Sequence, residues 1–255
     1  MARKTKIPLR NILLPWIDAL AVTTWGFLML QYWVSGKLYL LIHPNFFSLV
    51  IGCGIALLII GLLKMREIWR ERRRVKTSNL QHINLFPPGW GSALLLTAAI
   101  LGLMITPRVF ASDTAMELGV TDLLSSGRVQ PQSFRPSINP EDRSLVDWAR
   151  TLNVYPEPDS YTGQDAKVQG FVIHPPDIGD DFIFLARFVI TCCAADAYPV
   201  GLPVKLPENQ ERYSPDTWLE VEGKMITENL AGRRNLTIAA TSIKEIPQPR
   251  NPYSY

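Results

Sequence analysis

Cysteine is scarce in this chain: 255 residues carry three, Cys53, Cys192 and Cys193. That is far too few for a disulfide-scaffolded fold, and none of the spacings is the C-x-x-C of common zinc or redox sites. Histidine is equally scarce, also at three, and no Cys–His–Asp arrangement marks a thiol enzyme. Internal repeats are absent, which argues against a stand-alone transporter, since transporter folds usually build a midplane site from repeated helix sets. Acidic residues are nearly missing from the first 111 positions, which hold 3 Asp/Glu against 13 Lys/Arg. Residues 112–255 hold 20 Asp/Glu against the same 13 Lys/Arg. The nearly balanced whole therefore joins a half of net +10 to a half of net −7.

The basic half is also the apolar one. Blocks 12–34, 38–63 and 86–106 each reach the ~20 residues needed to cross ~30 Å of hydrocarbon as a helix. The first comes after a basic start but is too long for a signal-peptide core and lacks an A-x-A cleavage site, so it reads as an uncleaved span. Arg3, Lys4, Lys6 and Arg10 precede it, and the loop after the second block carries Lys64, Arg66, Arg70, Arg72, Arg73, Arg74 and Lys76. The loop between the first two blocks has only Lys37. By the positive-inside rule both basic segments are cytoplasmic, and the third span exports the rest of the chain. The expected organisation is a membrane domain over 1–111, a linker over 112–140 and an extracytoplasmic domain over 141–255.

Within the spans, Asp18 is ionisable and so a functional candidate, although it lies close enough to the cytoplasmic end to reach water. His43, next to Pro44, either lines a polar crevice or shapes the outer interface. Gly52 and Ala56, and Ala98 and Gly102, are small residues four apart, a spacing that lets helices approach closely.

In the acidic half, 141–153 suits a helix capped by Asn139 or Ser137, with Leu145, Trp148 and Leu152 on one face. Five strand signals come after it, at 167–174, 182–192, 202–206, 218–227 and 236–246. The fold class is thus three transmembrane helices followed by a small five-stranded OB-like β-barrel domain. Such barrels often bind nucleic acid, but a net charge of −7 opposes phosphate binding, and nucleic acid is excluded as a partner.

The run from Arg187 to Ala197, RFVITCCAADA, ends an apolar strand on two adjacent thiols and a carboxylate. Strand alternation puts Phe182, Phe184, Ala186, Phe188, Ile190 and Cys192 on one face, expected to be the core face, and Cys193 on the other. The two sulfurs then cooperate only if the chain turns near Cys192, which Ala194, Ala195, Asp196 and Pro199 permit. Four readings fit these residues. One is a soft-metal site of Cys192, Cys193 and Asp196 with His174. The second is a vicinal disulfide, the third a thiol enzyme, and the fourth a structural turn capped by Asp196.

The stretches Leu40-Leu41-Ile42-His43-Pro44, Gly170-Phe171-Val172, the Arg187–Ala197 run and Trp218-Leu219-Glu220-Val221-Glu222-Gly223 resemble the YcgQ-like family of bacterial membrane proteins, described as predicted subunits of two-component permease complexes. The resemblance implies a bacterial inner-membrane location and a larger multi-spanning permease subunit as partner. It transfers no catalytic residue. The expected function is a non-enzymatic accessory subunit whose exported domain binds or delivers a ligand, with a soft metal or metalloid as candidate. The rivals are an extracytoplasmic redox or sensory protein and a structural membrane anchor.

Overall fold

The computed structural model describes residues 9–71, 89–119 and 139–255, except 177 and 208. The chain forms two compact units, Met1–Pro107 and Arg108–Tyr255.

The first unit contains helices α1 (Leu9–Val34), α2 (Phe47–Glu71) and α3 (Trp90–Met104). Two helical stretches, Leu13–Val34 and Pro44–Arg70, are long and apolar enough to cross a membrane, and Trp90–Met104 is a shorter apolar helix. The second helix starts later than its apolar block. Gly36 takes a left-handed φ of 74°, Lys37–Leu40 forms one 3-10 turn and Pro44–Phe46 another, so α-helix begins only at Phe47. Proline lacks the N–H of a helix interior and restricts the residue before it, which puts the boundary here. The basic run continues α2 as far as Glu71; Arg72 to Lys76 lie outside the described residues, as do 86–88 of the third block.

Helix α1 packs against both others. A Cβ on Gly26 would lie 2.8 Å from the Gly54 carbonyl oxygen, so glycine there sets the close approach of α1 and α2. Polar ties join α1 to α3: the Trp25 indole N–H donates to the Leu95 carbonyl at 2.9 Å, and the Tyr32 hydroxyl to that of Gly102 at 2.5 Å. In hydrocarbon such groups have no water to turn to, so protein partners satisfy them.

The second unit opens with α4 (Ser112–Glu117), inside the stretch expected to be linker. Its first turn is fastened by the Ser112 N–H to Asp216 Oδ1 at 2.6 Å. Residues 120–138 lie outside the described set, including Ser137, one of the two expected caps. Helix α5 (Leu145–Val154) is shorter than its signal, and its N-cap is Ser144, not Asn139. Ser144 and Asp147 form a reciprocal capping box, which satisfies two of the helix's orphan donors. Leu145, Trp148 and Leu152 do share the inward face.

The strands are β1 (Asp165–Ile173), β2 (Phe182–Val189), β3 (Tyr198–Lys205), β4 (Trp218–Leu230), β5 (Arg233–Glu245) and β6 (Tyr253–Ser254). They form one six-stranded sheet. β1 pairs with β4, β4 with β5, β5 with β3, β3 with β2, and β2 pairs back to β1. All these pairs are antiparallel except β3–β5. Gly170 makes the return to β2 possible, because a Cβ there would sit 2.5 Å from the Ala186 carbonyl oxygen. The sixth strand adds in parallel to β2 at Phe188 and Val189.

The main core holds Val168, Val172, Ile183, Leu185, Leu202, Val204, Val221, Met225 and Ile238, together with Leu145 and Trp148 of α5. The core face of β2 is thus the Ile183–Leu185 set, opposite to the one the alternation predicts. The Phe184–Phe188 set is buried too, and Phe188 lies in an aromatic cluster. Phe188 stacks on Phe171 at 5.6 Å and meets Phe110 at 5.1 Å and Tyr253 at 6.4 Å between ring centroids. With apolar residues on both faces, alternation along β2 has no direction that the sequence reveals.

Candidate functional site: the Thr191–Asp196 turn

Strand β2 stops at Val189, three residues short of the expected Cys192. The Ile190 N–H donates to the Ser254 carbonyl at 3.0 Å, and the backbone then leaves the ladder. The next three N–H groups converge on one side chain. Asp196 accepts from the N–H of Thr191 at 3.2 Å, of Cys192 at 2.7 Å and of Cys193 at 3.3 Å. Ala194–Asp196 forms a single 3-10 turn, and Cys193 Sγ accepts from the Asp196 N–H. Asp196 is thus the pivot of the turn: its carboxylate replaces the neighbouring strand as the partner of three backbone donors.

The turn brings the sulfurs together. Cys192 Sγ lies 3.6 Å from Cys193 Sγ, with Cys192 exposed and Cys193 half-buried. The Asp196 carboxylate beside it, and next the Cys193 sulfur, push the Cys192 thiol up to about 11. The Asp196 carboxyl is held below its ordinary range; burial opposes this, but hydrogen bonds from the Cys192 thiol and from the Cys192 and Thr191 N–H groups outweigh it. At neutral pH Cys192 is therefore a protonated thiol beside an ionised carboxylate. That carboxylate stabilises the thiol form, and thiolates are what attack electrophiles and bind metals.

Helix α5 and the tail strand flank the turn, and the sequence does not reveal that either lies beside the thiols. Tyr198 packs with Val146 and Ala149 of α5 and with Val189 and Val200. Burial raises its phenol, Arg150 lowers it, and Asp196 raises it again. Arg150 donates to the Tyr255 carbonyl at 3.1 Å, and Arg187 to that of Asn251 at 3.1 Å. The one sequence signal for this tail strand was Tyr253, an aromatic residue in a polar, proline-rich segment that proves almost fully buried.

His174 does not join the site. Ile173 pairs with Phe184, so His174 falls beside the start of β2, whereas the thiols lie past its end. About five residues of strand at ~3.3 Å each already separate the two ends. The His174 Nε2 is buried without a hydrogen-bond partner. Among the described residues no group of three or more His, Cys, Asp or Glu side chains is placed to hold a metal ion. Two sulfurs converge, and the oxygens of Asp196 are already committed to the backbone.

In the first unit, Asp18 accepts a hydrogen bond from the Ser92 hydroxyl and so ties α1 to α3. His43 caps the Pro44–Phe46 turn, its Nδ1 accepting from the Asn45 N–H at 3.1 Å. Gly52 and Ala56 are both exposed on α2, whereas Gly54 packs against α1. Gly102 packs against Leu28, while its spacing partner Ala98 is exposed.

Residues 129–255 match the DUF1980 C-terminal domain. The chain is 25% identical over 104 residues to the UPF0703 protein YcgQ of Bacillus subtilis (strain 168), a stretch covering 40% of this chain. The match spans 36% of the length of that relative. No solved structure matches the chain.

Proposed function

We propose that this chain, which belongs to the YcgQ-like family, is a non-enzymatic accessory subunit of a membrane permease and captures a soft ligand on its exported domain. The observation that carries the reading is the convergence of Cys192 and Cys193 Sγ at 3.6 Å on an exposed turn. Two sulfurs at ~2.3 Å from one ion at a tetrahedral angle lie ~3.8 Å apart, so a thiophilic cation fits this pair with little movement. The cation is cargo. Two ligands without a closed shell suit capture and release, because structural sites use four.

The cyclic strand order with a parallel β3–β5 pair supports an OB-type barrel as the scaffold of the domain. Three spans with a cytoplasmic N-terminus export it, in keeping with the basic residues that flank α2. Gly52 and Ala56, exposed on α2 while Gly54 serves the internal packing, support a helix of the permease subunit as neighbour in the lipid.

The test has two parts. Titration of the reduced, detergent-solubilised Cys53→Ala chain with Ag(I) should show one ion bound between the two sulfurs per chain, lost in both Cys192→Ser and Cys193→Ser. Unchanged binding in either variant would refute capture by the pair. Affinity purification from native membranes should bring down a multi-spanning subunit; consistent recovery of the chain alone would refute the accessory role.

A further inference from the structure

We propose that Cys192 and Cys193 form a reversible vicinal disulfide, and that this bond closes the site to its ligand. The inference rests on the proposed export of the domain, because disulfides persist in oxidising compartments. The sulfurs already face each other at 3.6 Å, and a bond at ~2.05 Å needs an approach of roughly 1.5 Å. Cys192 is exposed, so an oxidant can reach it. Adjacent Cα atoms across a trans peptide are ~3.8 Å apart, below the ~4.4–6.8 Å of ordinary disulfides. The ring is therefore strained, and strained disulfides are the readily reduced, regulatory kind.

The oxidant is a disulfide, small or protein-borne, on the outer face. The Cys192 thiol loses its proton and attacks one sulfur of that disulfide, releasing the first thiol and leaving a mixed disulfide. Cys193 then attacks Cys192 Sγ and releases the second. The products are the Cys192–Cys193 bond and two thiols, which carry the two electrons and two protons from the pair.

The fold gives this step a local consequence. The Cys192 S–H beside Asp196 is consumed, and Cys193 Sγ, the acceptor of the Asp196 N–H, enters the ring. The Asp196 carboxylate thereby loses the Cys192 thiol as a partner, and the sulfur end of the reciprocal Cys193–Asp196 cap is disturbed. Asp196 thus acts as a positioning residue that favours the reduced, ligand-competent turn.

The full-length Cys53→Ala chain, purified in detergent, leaves only the pair to report. It is equilibrated in mixtures of reduced and oxidised glutathione, acid-quenched, labelled with a maleimide and weighed intact. The expected result is two labels at the reducing end and none at the oxidising end, with a mass lower by two hydrogens and full recovery on reduction. Two labels persisting in the fully oxidising mixture, or trapping of the pair as glutathione adducts or cross-linked dimers, would overturn the proposal. Replacing Asp196 with Asn should move the midpoint toward the oxidised form by at least threefold in the glutathione ratio; an unchanged midpoint would remove Asp196 from the mechanism. Ag(I) binding to the same reduced sample separates the two claims. Binding without an intramolecular disulfide leaves the capture reading and removes the switch, and a disulfide without Ag(I) binding does the reverse.

Discussion

Two stretches of one continuous chain, Phe182–Val189 and Ile190–Asp196, solve the same problem in opposite ways. In β2 the backbone donors and acceptors are spent on neighbouring strands, and both faces are buried. In the turn, three successive N–H groups are spent on one carboxylate, and past the buried Ile190 the side chains are exposed or half-buried. The first stretch draws its stability from packing that many residues share. The second depends on Asp196. Rigidity is thus supplied by the sheet, while the chemistry sits on a feature that a single substitution can dissolve.

The contrast breaks most severely at the core. Trp148→Ala removes a fully buried side chain where α5 closes on the sheet, and should cost about 3–5 kcal/mol, read as a large fall in melting temperature of the full chain. Asp196→Asn should cost less, about 1–2 kcal/mol, because the released N–H groups can reach water. Its signature is chemical. The Cys192 thiol, held up to about 11 chiefly by the Asp196 carboxylate, should fall toward the ordinary ~8.5. Alkylation of Cys192 at pH 8 should then rise by roughly 100-fold or more. Ser144→Ala deletes one half of the α5 capping box and should cost about 1 kcal/mol, visible as a small melting shift with unchanged thiol reactivity. Lys167→Ala removes an exposed cation between Glu220 and Glu222 and should change stability by no more than about 0.5 kcal/mol.

The turn has its own pH dependence, which the ladder does not share. The folded Asp196 is depressed, so its contribution is present above the ordinary carboxylate range and is lost as pH falls through the folded value. Cys192 is raised, so its contribution is complete below the ordinary thiol value and is lost as pH rises toward about 11. Amide exchange of Thr191, Cys192 and Cys193 should accelerate below pH 4, relative to β2 amides, more than intrinsic rates explain. Equal protection of both stretches would show that Asp196 does not brace the turn.

How much of this was legible in the sequence varies by residue. Five strands and the inward face of α5 come from periodicity, and the possibility of a turn at Cys192 comes from Ala194, Ala195 and Asp196. The start of β3 was hidden because Tyr198-Pro199 reads as a turn. The strand tolerates Pro199 and Pro203 because β3 pairs with β5 only at Val204 and Lys205, leaving that edge without a ladder at the prolines. The core face of β2 was hidden because Phe171, Phe110 and Tyr253, distant in sequence, cover its other face. His174 seemed available to the thiols because residue spacing does not reveal which end of a paired strand a side chain reaches. The role of Asp196 as acceptor for three N–H groups needed coordinates, since an Asp three residues after a cysteine fits a turn, a ligand or a cap equally well.

Asp196 joins the two thiols into one site. A thiolate absorbance titration of the folded Cys53→Ala chain, beside its Asp196→Asn counterpart, tests it most directly. One thiol should titrate at about 11 and shift down by roughly two pH units in the Asn variant. Two thiols that both titrate at the ordinary value, alike in the two proteins, would contradict it.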